Sequence, residues 1–213
     1  MMSRRALKTV YRRLYRAYGP QHWWPAASRF EILVGAVLTQ NTAWVNVEKA
    51  IANLRRAGRL EAKAITALPD KRLAALIRPS GYFNVKARRL KHLCRWFAEE
   101  GGFSTLSRRN TEVLRASLLE VHGIGPETAD DILLYAFSRP VFVIDVYTRR
   151  LLRRLRLING DEDYETLRAR IEAALAPDTA LYNEFHALIV RHAKEKCTQD
   201  PGCRHCKVEA PLK

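Results

Sequence analysis

The stretch Leu118-Leu119-Glu120-Val121-His122-Gly123-Ile124-Gly125-Pro126-Glu127-Thr128-Ala129-Asp130 narrows the fold more than any other part of the chain. Two helical segments, about 110–121 and 126–137, meet across a short turn that carries a glycine at each flexible position. Glycine permits positive φ and lets another group approach the backbone closely. Pro126 suits the first turn of a helix, whose unpaired N–H groups and positive dipole end then face outward and can hold an anion. An ordinary αα-hairpin with a glycine C-cap would read similarly. The charge balance favours the anion: 37 Lys and Arg stand against 22 Asp and Glu, a formal +15. Such a field suits a polyanion, nucleic acid first and an anionic membrane second. A turn of this kind holds DNA phosphate without reading sequence, which makes His122, Gly123, Ile124, Gly125 and Thr128 candidate DNA contacts.

Period-3.6 patterns run through the rest of the chain, and the expected fold class is all-α. Helices are expected at about 4–18, 29–38, 43–57, 62–67, 70–77, 85–99, 146–156, 163–175 and 178–196, with Thr42 as N-cap of the third. The one strand-like run, Pro140-Val141-Phe142-Val143-Ile144, is too short and solitary to build a sheet. Residues 29–138 are expected to form one helical lobe, and residues 1–28 with 139–213 a second, with a cleft between them. At 47% apolar content the chain can bury such cores without disulfide staples. No stretch approaches the roughly 18 apolar residues of a spanning helix and no signal-peptide core follows Met1. The expected place is the cytoplasm, on DNA, with no membrane partner.

Asp145 ends the apolar run, so the sequence delivers a carboxylate out of hydrophobic surroundings. A carboxylate so held can stabilise the cationic, oxocarbenium-like sugar that forms as an N-glycosidic bond breaks, and can orient the attacking water. It can equally be the N-cap of the helix that starts at Val146, and the two roles are compatible. Three of the four cysteines, Cys197, Cys203 and Cys206, crowd the C-terminus; in a reducing compartment they read as metal or cluster ligands before disulfides.

At these residues the chain resembles the helix-hairpin-helix DNA glycosylase superfamily, in its endonuclease III branch. The resemblance runs in order through Phe30-Glu31-Ile32-Leu33-Val34-Gly35-Ala36-Val37-Leu38-Thr39-Gln40-Asn41-Thr42, then Gly81-Tyr82-Phe83-Asn84-Val85-Lys86-Ala87, the hairpin, and Val143-Ile144-Asp145. It implies a two-lobed helical enzyme, monomeric as the family expectation, that flips a damaged base from double-stranded DNA into an interlobe active-site cleft. By position it implies Asp145 as the catalytic carboxylate, Gln40 as the residue that fills the gap left by the flipped nucleotide, and Tyr82 as a wedge in the opposite strand.

Family members that also cut the strand carry a lysine nucleophile two residues after the hairpin's last glycine, where it forms a Schiff base with the sugar. This chain has Glu127 there, and no lysine occurs between Lys91 and Lys194. A monofunctional glycosylase is expected. Among lysine-less relatives the chain is most similar to the bacterial endonuclease III-like 3-methyladenine DNA glycosylases, through Trp23-Trp24-Pro25, Gln40-Asn41-Thr42-Ala43-Trp44 and Glu127. A cationic alkylated purine is electron-poor and already a good leaving group, so aromatic faces can select it. Trp24, Pro25, Trp44 and Glu127 are therefore candidates for the base pocket, although Trp23 and Trp24 could simply close the lobe interface and Glu127 could be a helix acid favoured by the dipole.

Endonuclease III relatives close their C-terminus with four cysteines around a 4Fe-4S cluster, with six, two and five residues between ligands. Here the gaps are five and two, and a fourth ligand at that spacing falls on Leu212. Three readings stay open: a cluster whose fourth ligand is lost or lies beyond a truncated end, a zinc site recruiting His205 or His192, or no metal. Cys94 fits the buried stripe of its own helix. Lys194 and Lys196 follow Phe185-His186 as in cluster-free relatives, where a solvated helix face is the simpler account. Two other functions compete: mismatch or oxidised-pyrimidine removal on the same fold, and non-catalytic DNA binding, which Asp145 at the catalytic position argues against and which would leave Gln40 and the aromatic pair without an obvious purpose.

Overall fold

The computed structural model describes residues 2–197 and 208, without the side chain of Cys197. Among them every regular element is helical, in keeping with the expected all-α class. The chain divides into two compact units, residues 26–137 and residues 1–25 with 138–213.

In the 26–137 unit, helix α2 (Arg29–Leu38) is buried at every residue from Glu31 to Leu38. A helix that is apolar all round belongs in the middle of a core, and α3 (Trp44–Arg56), α6 (Phe83–Glu99) and the turn at 132–136 surround it. Its one buried acid, Glu31, is paired with Arg55 at 2.6 Å. Helices α4 (Ala62–Ala67) and α5 (Asp70–Leu76) cover α6. A single 3-10 turn, Arg78–Ser80, follows, and α7 (Gly102–Leu106) and α8 (Thr111–Leu119) continue the unit. Helix α9 (Pro126–Asp131) runs on as a wider π turn over Ile132–Ala136. The buried pair Arg115–Asp130, with contacts of 2.7 and 3.2 Å, bolts α8 to α9. Removing one partner of such a pair strands the other charge and costs about 3–5 kcal/mol.

The second unit consists of α1 (Arg4–Tyr18), α10 (Val146–Arg154), α11 (Tyr164–Leu175) and α12 (Thr179–His192), the last extended by a π turn at Ala193–Cys197. Phe142 packs edge-on against Tyr182 and Phe185, with ring centroids 5.3 and 5.7 Å apart. Residues 141–144 cross this core fully buried. They have no sheet partner, and side chains take its place: the Phe142 amide donates to Glu172 at 2.8 Å and the Ile144 amide to the Tyr164 hydroxyl at 3.3 Å. Buried backbone groups must be paired, and here one acid and one phenol from α11 do it for Phe142 and Ile144.

Two expectations are corrected. The N-cap of α3 is Ala43, with no side-chain cap bond, rather than Thr42. The Thr42 hydroxyl instead donates to Ser80 O at 2.5 Å and accepts from Lys86 at 2.6 Å. Helix α7 was not expected at all; its sequence opens on Gly101-Gly102, both at positive φ, and it is held by Phe103 packing on Phe97. None of the helices described is long and apolar enough to cross a membrane.

Candidate functional site

In the 26–137 unit, the hairpin turn uses its two glycines differently. Gly123 has φ +92, and a Cβ there would run into the aliphatic stem of Arg89. Gly125 has φ −94 and ψ 178, an extended backbone open to any residue, and a Cβ would meet nothing within 4 Å. What glycine supplies at 125 is therefore bare space at the start of α9. His122 is exposed, while the Ile124 side chain is buried in the unit's core and its amide closes the turn onto Val121 O at 2.9 Å.

Gln40, two residues beyond the end of α2, is docked on this hairpin. Its Nε2 donates to Gly123 O at 3.1 Å and to Thr128 Oγ1 at 3.0 Å, while Arg89 donates to its Oε1 at 2.6 Å. Because Arg89 can only donate, the amide is held in one orientation. Tyr82 stands at the N-cap of α6 in the left-handed region, with φ 44 and a side chain 73% exposed. A bulky residue at positive φ is a strained outlier that persists where its surroundings over-determine it. Trp44 is half-buried at the start of α3, and Glu127 is exposed as the second residue of α9.

In the other unit, Asp145 is both buried and the N-cap of α10. Its Oδ1 accepts from the Thr148 amide at 2.7 Å, and its Oδ2 lies 3.5 Å from His186 Nε2 on α12. Burial pushes the carboxyl upward, but the charge and hydrogen bond of His186, with the amide and hydroxyl of Thr148, outweigh it; the net shift is below the ordinary carboxylate value. Asp145 is thus ionised at neutral pH. Lys194, in the turn after α12, places its ammonium 5.7 Å from the Tyr147 ring centroid. Burial lowers its pKa and the charge of Asp145 works against that lowering. Trp24 is half-buried with its ring 6.0 Å from that of Trp23, and Pro25 is exposed.

The structure thus gathers Gln40, Gly123 and Thr128 into one cluster with Arg89. It gives Asp145 two partners, Thr148 and His186. His186 is a functional candidate that sequence reasoning passed over; the local signal was a histidine within the apolar face of α12. The candidate ligands Cys203 and Cys206, like the side chain of Cys197, lie outside the described residues, and no metal-ligating group of three or more forms among those described. His192 is buried with Nδ1 at 2.9 Å from the Tyr18 hydroxyl. Cys94 is buried in the 26–137 unit, and burial pushes its thiol up to about 12.

Comparison with known proteins gives a consistent picture. The profile described as "HhH-GPD superfamily base excision DNA repair protein" matches residues 34–177. The "Putative DNA repair glycosylase MJ1434" of Methanocaldococcus jannaschii is 43% identical over 203 residues, 94% of this chain and 92% of that protein. Among solved structures, the Helicobacter pylori 3-methyladenine DNA glycosylase bound to 1,N6-ethenoadenine is 33% identical with a TM-score of 0.78, covering 92% of this chain and 99% of that one. A non-covalent endonuclease III–DNA complex shares the fold at 19% identity, with a TM-score of 0.79 over 96% of this chain and 94% of that one.

Proposed function

The chain belongs to the HhH-GPD superfamily of base excision DNA repair proteins, a DNA glycosylase by family, and from that premise we propose that it is a monofunctional glycosylase acting on alkylated purines such as 3-methyladenine. The observation that carries this reading is the presence in one chain of a buried Asp145, held by Thr148 and His186, and of Glu127 where strand-cutting members have lysine.

The chemistry follows from that carboxylate. As the N-glycosidic bond breaks, its electron pair leaves with the base, and a cationic purine departs neutral. The sugar is left as an oxocarbenium ion, which the negative charge of Asp145 stabilises in a site of low dielectric. Water then adds at the sugar carbon and gives up its proton to bulk water. A carboxylate held below its ordinary range is a weak base, so Asp145 acts chiefly by charge and by orienting that water. His186 and Thr148 hold it ionised and fixed.

Phosphate is gripped by the hairpin at 122–125 and the open start of α9. Gln40 fills the vacated position in the duplex, and Tyr82, exposed on its strained turn, wedges the opposite strand. Trp24, Pro25, Trp44 and Glu127 are the proposed surroundings of the extruded base. The similarity to a 3-methyladenine glycosylase supports this choice of substrate. Toward a 4Fe-4S cluster the given sequence offers Cys197, Cys203 and Cys206, and Cys94, buried as a thiol far from ionising, does not serve as a fourth ligand.

The test is a base-release assay on duplexes carrying 3-methyladenine, thymine–guanine mismatches or oxidised pyrimidines. Release from the alkylated duplex first, leaving an intact abasic strand, is the expected result. Release from none of them sinks the enzyme reading, and preference for mismatched or oxidised DNA sinks the substrate. Borohydride trapping that disappears in Lys194→Met would overturn the monofunctional assignment, because it would reveal an amine nucleophile.

A further inference from the structure

Lys86 is the most buried cationic side chain in the 26–137 unit, at 1% exposure, and the chemistry described above makes no use of it. Its ammonium donates to Leu38 O at 2.8 Å, to Thr42 Oγ1 at 2.6 Å and to Ser80 O at 2.7 Å. Three donors meet three acceptors, which is the full capacity of a lysine. Leu38 and Thr42 are the two ends of the turn that carries Gln40. Ser80 lies two residues before Tyr82, and the Lys86 amide itself donates to Tyr82 O at 2.9 Å.

One turn further along α6, Arg89 holds the tip of the same turn through the Gln40 amide. Leu38 and Ser80 are also the last residues of α2 and of the 3-10 turn. Helix C-termini carry orphan carbonyls and partial negative charge, and a single cation serves both. Both tips so framed are strained: Asn41 and Tyr82 sit at positive φ, 51 and 44. Burying an ammonium is costly, and burial with the neighbouring Arg89 charge pulls the Lys86 pKa down to about 8. A methionine would fill the same space without that cost, so something other than packing accounts for the charge.

We propose that Lys86 is a positioning residue that locks the Gln40 turn and the Tyr82 turn into one rigid frame, so that gap filling and wedging act on the duplex together. The proposal rests on the roles given to Gln40 and Tyr82 above. It acts through those residues and touches no DNA itself. Duplex affinity, which belongs to the hairpin, is independent of it; base extrusion is not.

The experiment compares wild type, Lys86→Met and Thr42→Val on a duplex with 2-aminopurine beside the alkylated base. Three quantities are read: affinity for undamaged duplex, 2-aminopurine brightening, and single-turnover base release at saturating enzyme. Brightening and release should both fall about tenfold or more, within the ~100-fold that a 1 Å misplacement can cost, while undamaged-duplex affinity stays within about twofold. Thr42→Val keeps the experiment decisive if Lys86→Met does not fold, since it removes one acceptor and leaves the ammonium two carbonyls. A lowered melting temperature with wild-type brightening and release would make Lys86 a merely structural residue and overturn the proposal. Wild type that releases no base sinks the glycosylase reading and the frame with it; active wild type with equally active variants sinks the frame alone.

Discussion

Two helix starts in this molecule share one backbone and differ in what caps them. Gly125, ahead of α9, has φ −94 and ψ 178; Asp145, ahead of α10, has φ −93 and ψ 178. At Asp145 the helix end is closed from within, by a carboxylate 2.7 Å from the Thr148 amide. At Gly125 no side chain caps the helix. The same positive dipole end is thus filled by the protein's own anion in one unit and left for an external one in the other. Under the proposed function the difference separates two tasks: an uncapped start suits a DNA phosphate, and a self-capped start presents fixed negative charge to a cationic sugar.

Taking the charge from the second start should have the largest effect. Asp145→Asn keeps a good N-cap but loses the anion, and single-turnover base release should fall about 100- to 1,000-fold. Chemical denaturation should show a stability change of less than about 1 kcal/mol, so that lost folding does not explain lost rate.

The converse change fills the first start. Gly125→Asp makes α9 begin as α10 does, which should raise stability by only about a few tenths of a kcal/mol while weakening duplex binding about tenfold or more through a lost phosphate contact and added repulsion. Fluorescence anisotropy on an undamaged duplex measures it. Unchanged affinity would mean that the start of α9 is not a phosphate site.

The two glycines should then part company. Gly123→Ala puts a side chain at φ +92 and against Arg89, costing about 1–2 kcal/mol in the backbone alone and disturbing the arginine that holds Gln40. Gly125→Ala adds a methyl to empty space at an ordinary φ and should leave stability within about 0.5 kcal/mol. Equal destabilisation by the two would contradict the turn geometry described.

The smallest expected effect concerns pH. Asp145 titrates below the ordinary 3.8 in the folded chain. Its contribution to stability is therefore present above the unfolded value and is lost only as pH falls through the lower, folded value. Activity should persist down through the usual carboxylate range. In His186→Gln, which removes the strongest of the pulls that lower it, the acid limb should move upward. An acid limb near pH 6 in the wild-type rate profile would show a carboxyl shifted the other way.

The helical frame was largely written in local pattern. Helices at 4–18 and 29–38 have serine N-caps, and the first ends at Gly19, so their limits could be read directly. Helix α7 could not be, because a glycine pair hides a five-residue helix sustained by tertiary packing, with Phe103 against Phe97 and Phe137 and Leu106 buried. The run 141–144 looked like a strand because buried extended backbone needs the same residues whether its hydrogen bonds go to a sheet or, as here, to Glu172 and Tyr164. The hairpin and Asp145 stood out through glycine and charge in unusual places. His186 and Lys86 did not, since one acts across 41 positions of sequence and the other is one of five Lys and Arg residues on a basic helix. Nothing local says which cation goes inside.

The division of labour between the two helix starts is tested most directly by single-turnover base release on an alkylated duplex, measured as a function of enzyme concentration for Gly125→Asp and Asp145→Asn. Gly125→Asp should shift the half-saturating concentration about tenfold upward and leave the plateau rate near wild type. Asp145→Asn should leave that concentration unchanged and lower the plateau about 100-fold or more. Both substitutions moving the same parameter would contradict the separation of DNA grip from bond cleavage.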